Sequence, residues 1–259
     1  MKTAKFKASY DCRGECPEET IMVEVTRDGD LLFLDRDMEY ETAFAAMGGH
    51  SAASEMLERW RQYPMEIVVQ NLGIHSDILA LIVLDCAEHV LPIYEEAHPK
   101  DERLGKALKV SRGYLLDNKL RLKTIGIDVD RELMNYIYMT RDIIEGVKQY
   151  FTTGQAESVQ RVAECVKDAI DFARTLSNSR ASASIALGKA RIARADVAAP
   201  FIMDQTESSI WKSAMAQEQA WQVRRVVDVM HALTGDSHRM PRREALDRRA
   251  VWESVGETK

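Results

Sequence analysis

Chemistry in this chain would have to come from four cysteines, six histidines and 41 acidic side chains, and their spacing limits what they can do. Cys12 and Cys16 form C-x3-C in a turn-rich loop, and Cys86 and His89 form C-x2-H far downstream. Zinc accepts all four as ligands. Cys86 and His89, however, stand one turn apart within an apolar helical pattern, where free cysteine serves as a small hydrophobe. A single tight pair is weak evidence for zinc, so a structural role is the expectation. His89, Glu95, Glu96 and His98 gather near the end of the same helix and include groups suited to acid–base work or metal binding. Glu95 and Glu96 are adjacent on a helix and so do not face one point. A solvated helix end accounts for them better.

Asp85 is the carboxylate that most needs explaining, because its helical neighbours are apolar. A buried carboxylate must be paired or hydrogen-bonded to keep its charge. The expected partner is an arginine on a packed helix, Arg112 or Arg191. The rival reading is a bundle metal site of Asp85 and His89 with Glu88 or His98, the core of a metal-dependent hydrolase. Gly48-Gly49 is followed by His-Ser-Ala rather than Gly-Lys-Ser or Gly-Lys-Thr, so no phosphate loop is present, and no G-x-S-x-G elbow occurs. Arg239, Arg242, Arg243, Arg248 and Arg249 are a candidate phosphate-binding cluster. Asp236, Glu244 and Asp247 offset them, which predicts a solvated helix face.

The elements that position these groups change character along the chain. Lys5–Tyr10 alternates, Thr20–Thr26 is rich in β-branched residues, and Asp28-Gly29 turns the chain into Leu31–Leu34. From residue 37 the pattern is helical: Asp37–Met47 up to Gly48-Gly49, then Ser51 or Ser54 to Arg61. Residues 65–70 fit a strand or a turn of helix equally well. Helices are then predicted from Ser76 or Asp77 to Ala97, Asp101 to Leu116, Asp128 to Phe151 and Glu157 to Leu176. A further helix is predicted for the alanine-rich Arg180–Ala199, and the last long one for Asp204–Gly235, opened by an Asp204/Glu207 capping box. Asn118–Gly126 reads as a loop or edge strand. Pro92 predicts a kink in the first long helix. The small side chains of 180–199 predict a helix gripped closely by its neighbours.

The expected fold is therefore mainly α: a helical bundle with a small N-terminal antiparallel β-meander, α+β overall. Residues 1–75 are expected to form a small α+β region, 76–235 the helical domain and 236–259 a polar tail. A chain of 259 residues with 46% hydrophobic and 29% charged residues has the balance of a globular protein. The longest apolar run, Ile78–Leu84, falls far below the ~20 residues of a bilayer crossing. Met1 is followed by Lys-Thr-Ala-Lys-Phe-Lys, which lacks a signal-peptide apolar region, and a cytoplasmic, reducing environment is expected. Residues 1–60 carry a net charge of −6, against +3 for 161–259. Neither end has the concentrated positive charge on which nucleic-acid affinity rests.

The run Leu84-Asp-Cys-Ala-Glu-His-Val-Leu-Pro-Ile-Tyr-Glu-Glu-Ala-His-Pro-Lys-Asp-Glu-Arg103 resembles a bacterial domain family, the immunity proteins of polymorphic toxin systems. Its members open with a helix reading like D-C-A-E-R-V-L-P-x-[FY]-E, followed by H-P-x-D-x-R and a second helix. The alanine-rich segment 180–199 and Glu218-Gln-Ala-Trp-Gln222 also look like later parts of that family, so the resemblance spans roughly 77–230. It departs from the family pattern in a longer 118–155 connection and in an N-terminal part without counterpart.

The resemblance implies a shared helical fold in which Asp85, Pro92 and His98-Pro99 are architectural. It implies a non-catalytic inhibitor or binding protein that neutralises a protein target, either a toxin or a defence factor, with a phage anti-defence role as a variant. No cofactor is expected. The acidic first quarter, with Asp28, Asp30, Asp35, Asp37, Glu39 and Glu41, is the expected contact with a basic partner. A homo-oligomer is compatible with the sequence, and membrane association is not expected. The rival functions are the metal-dependent hydrolase and, last, a nucleic-acid or nucleotide binder using the C-terminal arginines.

Overall fold

Helices account for most of the structure, a computed structural model that describes residues 3–10, 19–27, 31–33, 65, 74–117, 123–150, 154–176, 181–199, 208–235, 241–242 and 246–256. The chain divides into two units, one of Ser76–Glu218 and one grouping Met1–His75 with Gln219–Lys259. The helices predicted for 37–47 and 51–61 lie outside the described residues, as does the Asp204/Glu207 capping box.

The Ser76–Glu218 unit is a bundle of α1 (Ser76–Ala97), α2 (Arg103–Leu116), α3 (Lys123–Tyr150), α4 (Gly154–Thr175), α5 (Ala181–Ala198) and the start of α6 (Ser209–Thr234). Helix α1 is apolar around its whole circumference, and every residue from Asp77 to Ala87 is buried. Pro92 is tolerated because it falls on the exposed side of the last turns. Helix α4 packs against α1, α2, α3 and α5. Its Val159, Val162, Val166, Ile170 and Ala173 recur every three or four residues and are all buried. Each of the valines and Ile170 contributes roughly 1.5–3 kcal/mol by leaving water, and Ala173 less.

The alanine-rich helix α5 presses Ala183, Ala186, Ala190 and Ala193 into α4 and α1. Backbones approach closely enough there for the Cys165 thiol to donate to the Ala186 carbonyl at 3.2 Å. Its other side exposes Ser184, Ile185, Val197 and Ala198, so α5 is not gripped all round. Helix α4, by contrast, is in contact with α1, α2, α3 and α5. Small side chains permit close approach on one face without requiring it on the other.

Several helix starts differ from expectation: α2 begins at Arg103 rather than Asp101, α4 at Gly154 rather than Glu157, and α3 at Lys123 rather than Asp128. Residues 123–126, predicted as loop or edge strand, form the first turn of α3. In the sequence, Ile125, Val129 and Leu133 stand at i, i+4 and i+8, the spacing of one helix face.

The other unit contains β1 (Thr3–Tyr10), β2 (Glu19–Thr26) and β3 (Leu31–Phe33), antiparallel in the order β1-β2-β3, with Ala4 opposite Val25. It also holds the second half of α6 and a short α7 (Arg248–Val255). Val223, Val226, Val227, Val229 and Met230 supply its helical core. Helix α6 ends at Gly235, whose φ of 57° is the left-handed conformation glycine adopts freely. Helix α7 starts at Asp247, whose carboxylate accepts from the Ala250 amide at 3.0 Å. Arg27 Nη2 donates to Asp228 at 2.8 Å, and Arg225 Nη1 donates to the Gly256 carbonyl at 2.7 Å.

Candidate functional site

Asp85, Glu88, His89 and His98, which carried the bundle-site hypotheses, fall in three clusters within the Ser76–Glu218 unit. In the first, Asp85 on α1 is buried and paired with Arg112 of α2. The same guanidinium reaches Glu88, one turn along α1, through Nε at 3.1 Å and Nη2 at 2.5 Å. Spacing i and i+3 puts both carboxylates on one face of α1, and α2 crosses where the fork of Arg112 can hold both. Burial opposes the charge on Arg112, but Asp85 and Glu88 outweigh it and hold the guanidinium above its ordinary value. Arg191, the other arginine considered for Asp85, lies on α5.

In the second cluster, His89 Nδ1 lies 2.9 Å from Glu218 Oε2. Glu218 is buried on α6, and Arg194 of α5 stands 3.6 Å from it while donating through Nη2 to the His89 carbonyl at 2.7 Å. The neighbouring Asp196, also buried, accepts from Arg161 Nε at 2.6 Å and from the Trp211 indole at 3.1 Å. A parallel set of ion pairs joins α4 to α5, with Lys189 reaching Asp168 at 2.8 Å and Glu164 at 3.2 Å. Burial would lower the Lys189 ammonium, but Asp168 and Glu164 hold it above its ordinary value.

The third cluster is the turn between α1 and α2. The Tyr94 hydroxyl donates to Asp101 at 2.6 Å, and Arg103 grips the same carboxylate through its backbone amide, Nε and Nη2. Arg103 and Tyr94 hold the Asp101 carboxyl well below the usual carboxylate range. Burial, with the Asp101 charge, pushes the Tyr94 phenol up. The His98 ring lies against Tyr94, centroids 4.8 Å apart. A shallow cavity of about 590 Å³ opens here, lined by His98, Lys100, Glu102, Arg103 and Lys106 among others.

The groups weighed as a metal site are thus dispersed. Asp85 and Glu88 face Arg112, His89 faces Glu218, and His98 lies at the far end of α1 against Tyr94. Among the described residues no three His, Cys, Asp or Glu side chains converge in a way that would hold a metal ion. Cys86 and Cys165 are buried and reduced, and burial, with Asp168 and Glu218 nearby, pushes the Cys165 thiol up. Cys12 and Cys16 lie outside the described residues, as do Asp28, Asp30, Asp35, Asp37, Glu39 and Glu41. Of the C-terminal arginines, Arg242 and Arg249 are exposed, while Arg248 is 1% exposed, which corrects the expectation of a solvated face at that position. Arg239 and Arg243 are outside the described residues.

Sequence reasoning missed Asp196, Arg161 and the pairing of Glu218 with His89. Charged residues on amphipathic helices read as solvent-facing, and only the crossing of α4, α5 and α6 brings these together. Among the described residues, no helix is long and apolar enough to cross a membrane. No curated protein and no solved structure matches the chain. Residues 75–125, which hold α1, α2 and the turn that joins them, match the family model described as Imm-5 like putative immunity protein, so this part of the chain is similar to an immunity domain.

Proposed function

We propose that this chain is a non-catalytic, immunity-like protein that binds and neutralises a protein target, a toxin or a defence factor. The match of residues 75–125 to the immunity-protein model carries the reading. Geometry supports it, since the polar side chains of the matched segment that invited a chemical reading face salt-bridge and hydrogen-bond partners. Asp85, Arg112 and Arg191 are assigned to the architecture of the bundle. The contact with a basic target is assigned to the acidic residues Asp28, Asp30, Asp35, Asp37, Glu39 and Glu41. Such an inhibitor works by covering its target's working surface, with charge complementarity speeding encounter.

The test is affinity purification of the tagged full chain from several bacterial hosts, with and without a co-expressed toxin encoded beside its gene. One stoichiometric protein partner, together with relief of growth arrest on co-expression, is the expected result. Recovery of no partner in any host, with growth arrest unrelieved, would overturn the reading.

A further inference from the structure

The first half of α6 is attached to its unit differently from the helices around it. From Ser208 to Gln217 no side chain is buried, and Ile210 is 57% exposed. Helices α1, α4 and α5, by contrast, each present a continuous buried face. Among the described residues, the hydrogen bonds and ion pairs that tie this segment to other helices occur at Trp211 and at Glu218. At one, the Trp211 indole N–H donates to Asp196, itself gripped by Arg161. At the other, Glu218 is the first buried residue of α6 and meets His89 and Arg194.

The segment carries its own helix start. The Ser208 hydroxyl accepts from the Trp211 amide at 3.3 Å, capping the helix from within. Lys212-Ser-Ala-Met-Ala-Gln-Glu218 is composed almost wholly of strong helix formers. Apolar burial is what ties a helix into the global unfolding unit, and regions poor in it open locally at far lower cost.

We infer that Ser209–Glu218 is a polar-latched strap, with Glu218 as its principal latch, that comes away from α1 and α5 by local unfolding while the α1–α5 core remains packed. Opening uncovers the carboxylates of Asp196 and Glu218, so the strap controls access to two acids that are otherwise buried. The inference stands independently of the immunity reading, because it rests on burial and hydrogen bonding alone.

Amide hydrogen exchange of the full chain, compared among wild type, Trp211→Phe, Glu218→Gln and the double variant, tests it. In Glu218→Gln, amides of 209–218 should exchange about tenfold faster, the effect of weakening one charge-assisted hydrogen bond. The double variant should be faster again, with rates in α1 and α4 unchanged. Should Glu218→Gln lower the helicity of the whole chain, Trp211→Phe alone decides the matter by the same local readout. Unchanged exchange across 209–218, or acceleration in step with α4, would overturn the inference.

Discussion

Removing the Arg112 guanidinium takes an ion-pair partner from Asp85, a buried carboxylate on the apolar helix α1. Arg112→Ala is therefore expected to cost about 3–5 kcal/mol in urea unfolding, the cost of breaking a buried ion pair. Glu88→Ala, at a half-exposed carboxylate on the same guanidinium, should cost under about 1 kcal/mol. Similar costs for the two would show that Asp85 finds relief elsewhere. Asp101 sets a pH dependence. Its carboxyl is held below the ordinary value, so its contribution is complete above that value and is lost as the pH falls through the folded one. The melting-temperature deficit of Asp101→Asn should thus be largest near neutral pH and shrink toward pH ~3 and below. Cys165 is buried with its thiol pushed up, so it should resist iodoacetamide at pH ~8 in the native chain and react once unfolded, as mass mapping of that peptide will report.

Helix α5 meets α4 through alanines because the thiol of Cys165 already touches the Ala186 carbonyl, leaving little room for larger side chains. Ala190→Leu should destabilise by about 1–3 kcal/mol through overpacking, measured as a fall in the urea midpoint with unchanged slope. The same exchange at exposed Ala198 should be nearly neutral. Together they separate a contact requirement from helix propensity, which favours alanine and leucine almost equally. The position of α1 follows from burial rather than propensity: a helix apolar on all sides cannot lie on a surface, so α2, α4 and α5 pack around it.

Charge is the property that spans the whole chain. With −6 concentrated in residues 1–60, association with a basic partner should be steered electrostatically. Replacing Asp28, Asp30, Asp35 and Asp37 with lysine should slow association about 10-fold or more at low ionic strength and change it little in high salt. Stopped-flow binding to the purified partner gives both numbers. A rate insensitive to these changes would move the contact elsewhere, with the turn between α1 and α2 the next surface to test.

Periodicity over long helices was legible before any coordinates, because 3.6-residue spacing of apolar side chains is written into the order of the residues. The bounds of α1 and the stop at Gly235 followed from it, as did the need for Asp85 to find a cationic partner. The 84–103 run likewise carried its resemblance on the residues themselves, inside the segment that matches the immunity-protein model. Long-range pairing was not legible. Nothing local marks Arg112 as a partner of Asp85, or Glu218 and Asp196 as buried. A charged side chain on an amphipathic helix has the same sequence signature whether it meets water or another helix. Which of the two it meets is fixed by how helices cross, and crossing is a property of the packed bundle.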